Sequence, residues 1–282
     1  MAIAVRNGGS DAAGAGPLLI APAYIFLAAA FVAPLSLLFS ASLYDAGQLS
    51  LLNYRTALSD IRSLHAVGNT MQYGLLVTLG CFVIGLPTAI ALTHSSARMQ
   101  RLMLIIILLP MASSIVIKSF GWMILFRRTG VINQTLLWLG LVSDPVALLF
   151  TRTGLVLATI GLMLPFMVLP VYAVLKQIPE HLDDAAATLG AWWGYRFTRV
   201  TLPLAAPGIS VGAALVFAHT VSAYLIPTLL GGSRHEMLSM SIVDSYLAFN
   251  NAGLGATYSV MLLALVGIAL GLSSLFGRRT TS

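Results

Sequence analysis

Charge is scarce in this chain. Only 9% of its 282 residues are Asp, Glu, Lys or Arg, against about a quarter in an ordinary soluble domain. So few charges cannot cover a water-facing surface, and lipid must therefore be the solvent. Nine acids face fifteen basic residues, for a net charge of +6. The basic residues are scattered singly between apolar runs, not massed on one face. That pattern fits anchoring at membrane interfaces and argues against a nucleic-acid partner. Cysteine is nearly absent. Cys81 alone excludes an intrachain disulfide and a cysteine metal cluster, and its apolar surroundings read as core. No Gly-x-x-x-x-Gly-Lys-Ser/Thr loop occurs, so the chain does not bind ATP by that route. His65, His94, His181, His219 and His235 are widely separated. They suggest neither a metal site nor a membrane-embedded enzyme, and no catalytic residue is assigned.

What is present is hydrophobic sequence, 58% of the residues. A helix needs about 20 apolar residues to cross a bilayer. Six stretches qualify: roughly 17–43, 66–93, 102–126, 153–175, 204–230 and 254–276. The first is too long for a signal-peptide core and reads as a retained span. The apolar stretch 131–142, closed by Asp144-Pro145, is too short to cross and predicts an interfacial helix. The expected fold is therefore all-α and integral to the membrane, with six transmembrane helices and both termini on one side. Arg6, Arg98, Arg101, Lys176, Arg196, Arg199, Arg278 and Arg279 would share that side. Arg55, Arg62, Arg127, Arg128, Arg152 and Arg234 would lie opposite, and Lys118 within a span. The excess of basic residues places the termini in the cytoplasm. The resulting organisation is a flexible N-terminus 1–16, a membrane domain 17–276 containing a cytoplasmic loop 176–203, and a tail 277–282.

That loop is the most polar interruption between apolar neighbours. Pro179 suits a first helical turn, and Glu180, Asp183 and Asp184 put negative charge at the positive helix end. Leu182, Ala185, Ala186 and Leu189 form one low apolar face that a partner's backbone can approach closely. Gly190 suits the left-handed residue that ends a helix. A second short helix is expected through Trp193, Phe197 and Val200, with Leu202-Pro203 marking re-entry to the membrane. The elbow so formed either ties spans four and five together or serves a partner.

The loop resembles the signature loop of binding-protein-dependent ABC importer permeases, Glu-Ala-Ala, three residues, Gly, nine residues, Ile, one residue, Leu-Pro. The matching positions are Asp184, Ala185, Ala186, Gly190, Val200, Leu202 and Pro203, with both gaps kept. Asp for Glu and Val for Ile are the two departures. Segments 108–136 (LLPMASSIVIKSFGWMILFRRTGVINQTL), 164–172 (LPFMVLPVY) and 215–232 (LVFAHTVSAYLIPTLLGG) are similar to the first permease of spermidine/putrescine-type importers. Related permeases for ferric iron, thiamine or aminoethylphosphonate share much of the pattern. The resemblance implies a non-enzymatic subunit of the bacterial inner membrane. Its implied partners are a second permease of different sequence, two ATPase subunits that bind ATP and Mg, and a periplasmic binding protein. The loop would be the coupling helix that docks on an ATPase subunit. An ion-driven secondary transporter would instead want acids within spans and recognisable repeats, and neither is found.

Candidate pathway residues carry two readings each. Lys118 either snorkels to an interface or lines the pathway. His219 either lines a cavity or bonds to a neighbouring helix. Phe120, Trp122 and Tyr224 either stack on an alkylammonium substrate or form aromatic belts. Glu236 and Asp244 read as a solvated outer loop or as contacts for a binding protein or cation. Gly80, Gly85, Gly154 and Gly161 are candidates for close helix packing.

Overall fold

A computed structural model describes residues 12–45, 48–179, 182, 188, 190–232 and 235–279. Helix α1 (Ala12–Leu43) leads into a two-residue hairpin, β1 (Tyr44–Asp45) antiparallel to β2 (Gln48–Leu49), the one departure from an all-helical chain among the described residues. There follow α2 (Leu52–Ser59), α3 (Ile61–Thr93), α4 (Ala97–Leu108), α5 (Ile115–Phe126), α6 (Val131–Trp138) and α7 (Arg152–Leu175). Helix α8 runs Trp193–Ser222, α9 Leu238–Leu247 and α10 Ala252–Arg279. Five of these are long and apolar enough to cross a membrane: α1, α3, α7, α8 and α10.

The third expected span is not a straight helix. Its two halves, Ala97–Ala112 and Ile115–Trp138, meet at 106°. Pro110 has no N–H to continue the ladder. Ser113 turns extended and donates its N–H to the Pro110 carbonyl at 3.2 Å, and Ser114 caps α5 by accepting from the Val116 N–H at 3.3 Å. Two serines that serve as caps thus end one helix and begin another. A helix is present in the stretch 131–142 as α6, ending four residues sooner than expected.

The fifth expected span, 204–230, starts earlier and stops sooner. No separate short helix ends at Leu202-Pro203, because α8 continues through Pro203. A wider π-type turn, Phe197–Thr201, precedes the proline, and Leu202 N–H reaches back to the Phe197 carbonyl. That i−5 bond opens room where a proline ring would otherwise strike an α-helical carbonyl. At the other end α8 breaks at Ala223–Tyr224, before a π-helical turn Pro227–Gly231. The freed Ala223 carbonyl accepts the Ser239 hydroxyl of α9 at 2.8 Å. A carbonyl freed by a break between apolar segments needs such a partner wherever water is scarce.

The core is a three-helix contact of α3, α7 and α8. Val77, Cys81, Met167, Val168 and Val216 are fully buried within it. In lipid, association depends on packing and hydrogen bonds more than on hydrophobic transfer. Both devices are present. Tyr73 and Thr159 hydroxyls bond at 2.6 Å across α3 and α7, and Gly208 of α8 brings its backbone against Pro170 and Val171 of α7. The four glycines expected at close packing each abut another segment: Gly80 against Ile160, Gly85 against Met167, Gly154 against Leu148 and Gly161 against Trp122. Helix α10 packs on α8 and carries α1 on its flank. A Ser63–Tyr258 hydroxyl pair at 2.6 Å ties α10 to α3.

Candidate functional site: the loop after α7 and the flanking helix faces

The loop leaves from a well-finished helix end. Lys176 N–H bonds to the Tyr172 carbonyl at 2.9 Å, Ile178 N–H to the Leu175 carbonyl at 3.1 Å, and Gln177 Nε2 to the Ala173 carbonyl at 2.9 Å. Lys176 Nζ lies 5.7 Å from the Tyr172 ring centroid, a cation placed at the negative helix end. Asp184, Ala185 and Ala186 lie outside the described residues. Within their stretch Leu182 and Thr188 are helical.

Gly190 has φ +79°, and a Cβ there would meet nothing within 4 Å. Space is not the constraint. A left-handed backbone is, and it favours glycine. Trp192 and Trp193 follow, 72% and 71% exposed. Trp193 stacks on Phe197 at 5.6 Å between centroids, and Phe197 and Leu202 pack on the main core. Val200 and Leu202 are half-buried, whereas Pro203 is exposed. The second half of the loop is therefore the foot of α8, fixed to the bundle and presenting two largely exposed indoles.

The pathway candidates divide between two helices that both reach α7. On α5, Trp122 tilts against Phe126 at 5.1 Å and lies on Gly161. Lys118, half-buried, and Phe120, exposed, share that helix one turn earlier, just beyond the 106° bend. On α8, His219 is exposed and rests on Phe166 of α7 at 4.6 Å between centroids. Tyr224 sits in the α8 break, where its carbonyl accepts from Thr228. Gly161 and Phe166 are five residues apart, roughly one and a half turns. The structure thus brings Trp122 and His219 to one stretch of α7, while Lys118 and Phe120 stand on α5 and Tyr224 at the α8 break. Phe166 was not singled out by sequence. One aromatic among twenty apolar neighbours carries no signal of its own.

Glu236 offers its carbonyl to Asn69 Nδ2 at 3.1 Å, and Asp244 lies exposed on α9, helical where a loop was expected. Among the described residues no three His, Cys, Asp or Glu groups gather as a metal site would require.

Residues 81–282 match the model of the family described as binding-protein-dependent transport system inner membrane component. The chain belongs to that family. It is a multi-pass inner-membrane permease of an ABC importer, a transport component and not an enzyme. Relatives of this permease include the spermidine/putrescine transport system permease protein PotB of Escherichia coli K12, 29% identical over 77% of this chain and 79% of that one. The inner membrane ABC transporter permease protein YdcU of the same strain is 30% identical over 79% and 74%. The molybdenum transport system permease protein ModB of Azotobacter vinelandii is 32% identical over 61% and 75%. Among solved structures, the permease fold matches a bacterial ABC transporter importing the acidic polysaccharide alginate, with TM-score 0.77 at 21% identity over 94% and 95% of the two chains. An inward-facing MetNI methionine ABC transporter gives TM-score 0.59 at 20% identity over 78% and 96%.

Proposed function

We propose that this permease spans the membrane six times with both termini in the cytoplasm, and that the 176–203 loop receives the stroke of an ATPase subunit. ATP and Mg are held by two such subunits. A second, non-identical permease completes the pathway, and a periplasmic binding protein delivers the solute. The observation that carries this reading is the spacing Asp184-Ala185-Ala186, Gly190, Val200, Leu202-Pro203 with Gly190 in the left-handed conformation. The foot of α8 is welded to the core through Phe197 and Leu202. A displacement of the loop therefore travels along α8, and through the α7–α8 contact, as movement of a rigid lever. ATP binding then favours one of two bundle arrangements, and hydrolysis releases it.

Polyamine is the leading substrate class, from the likeness to PotB. Trp122, Phe120 and Tyr224 supply aromatic faces for an alkylammonium chain, with Lys118 and His219 beside them. A second reading has a specific observation in its favour: none of the candidate spans contains Asp or Glu. A phosphonate such as aminoethylphosphonate would meet fewer mismatched charges there than a polycation.

Gly190→Asp tests the coupling role. We expect normal insertion and complex assembly, with binding-protein-stimulated ATPase activity and uptake into vesicles lost together. Wild-type stimulation in that variant would remove the loop from the mechanism.

A further inference from the structure

At the end of α7 remote from the loop, the chain builds a second cavity. A cavity of about 470 Å³ is lined by Phe126, Arg127, Arg128, Thr129, Leu148 and their neighbours. Its frame is fixed. The buried Asn133 of α6 donates through Nδ2 to the carbonyls of Arg127 and Val146, both at 3.0 Å, and accepts the Val146 N–H at 2.8 Å. Gly130 N–H closes the arginine turn on the Arg127 carbonyl at 2.8 Å, and Gln134 Nε2 holds the Thr129 carbonyl at 3.0 Å. One asparagine thereby clamps the two walls together.

The walls differ in character. One carries two consecutive guanidinium groups and a hydroxyl, the other is Ala147, Leu148 and Leu149. Thr151, the cap of α7, bonds back to the Leu148 carbonyl at 2.6 Å. Arg152 follows it, and its Nη2 is buried with no hydrogen-bond partner. A guanidinium nitrogen out of water without an acceptor is costly. Among the described residues no carboxylate pairs with any of these three arginines. Two forked donors facing an apolar wall suit an oxyanion such as phosphate, which Arg recognises through paired hydrogen bonds.

We propose that the Arg127-Arg128 turn, facing the leucine wall of this cavity, is a phosphate-binding site. Its two possible sources are the headgroup of an anionic phospholipid, whose chain would lie on the leucine wall, and a free phosphate or phosphonate. The site rests on the coupling reading only for its placement at the outer face.

The test uses the assembled transporter in two arms. In the first, complexes are taken from nanodiscs of phosphatidylcholine with phosphatidylglycerol, and retained lipid is counted by native mass spectrometry. In the second, lipid-poor complex in detergent is titrated with inorganic phosphate and with methylphosphonate, against chloride at equal ionic strength, and binding is read by thermal shift and equilibrium dialysis. Arg127→Gln/Arg128→Gln is expected to reduce occupancy roughly tenfold in the arm that binds. Arg127→Lys/Arg128→Lys, which keeps charge but not the fork, should fall between and controls for folding. Retention of phosphatidylglycerol names a lipid site, and saturable phosphate binding names a solute site. If neither ligand binds the wild type better than the glutamine variant, the proposal is wrong. Neither arm needs ATP, so that result would leave the coupling loop untouched, and loss of the coupling reading would leave this site standing.

Discussion

Helices α7 and α1 are almost equally apolar, yet 56% of the apolar window of α7 is buried within the chain and only 6% of that of α1. Composition therefore says that both enter lipid and nothing about which is central. The difference lies in side-chain size and in bonds across helices. Helix α7 meets glycines on both neighbours, Gly85 of α3 and Gly208 of α8, and shares a hydroxyl pair with Tyr73. Helix α1 offers Phe26, Phe31 and Leu37 outward, each about 70% exposed, and leans on α10 alone for most of its contact.

The contrast can be broken most forcefully at Gly208. A Cβ there would stand 2.8 Å from the Pro170 carbonyl and 2.9 Å from Val171 Cα, backbone atoms that cannot move aside cheaply. Gly208→Leu should cost about 1–3 kcal/mol or more, as overpacking does. Loss of monodisperse complex in size-exclusion chromatography would show it, and an unchanged Tm would mean that α7 and α8 are looser than drawn. Tyr73→Phe is milder. It removes the 2.6 Å bond to Thr159, whose hydroxyl still donates to the Leu155 carbonyl at 2.8 Å. The expected loss is about 1 kcal/mol, read as a lowered Tm with transport retained.

A smaller effect belongs to pH. Asp60 caps α3, and its carboxyl is held below the usual 3.8, first by the Ser63 hydroxyl and then by the Arg62 N–H. A depressed folded-state value means the carboxylate contributes stability above the unfolded value and loses it as pH falls through the folded one. Asp60→Asn should flatten the decline of Tm on acidification below about pH 4, and an unaltered profile would deny the cap that role. The smallest change is expected on α1. Phe31→Ala, at a position 70% exposed, should shift stability by no more than about 0.5 kcal/mol. A large loss in the assembled transporter would reveal a protein neighbour on that face.

Much of this was legible beforehand. Runs of twenty apolar residues located α1, α3, α7, α8 and α10 because a bilayer crossing is a requirement of length and composition. Gly190 was readable because ending a helix in the left-handed region is a demand on one residue's backbone. The bend at Ser113–Ser114 was hidden, since serines cap helices only when the chain turns there and otherwise sit quietly within them. The continuation of α8 through Pro203 was missed because a proline signals a break, whereas a π-turn ahead of it removes the clash. The pairing of His219 with Phe166, and of Asn133 with Val146, joins residues 53 and 13 positions apart. No local pattern announces such a contact.

Sequence alone determined that this protein lives in lipid and that it carries a polar loop of fixed spacing between two apolar runs. Those are properties of residue type and order. Tertiary structure decided which helix is central, where the spans break, and that two arginines face a leucine wall across one cavity. Such facts depend on which surfaces meet, and in a solvent as apolar as the side chains themselves, only shape and hydrogen bonding choose among the meetings.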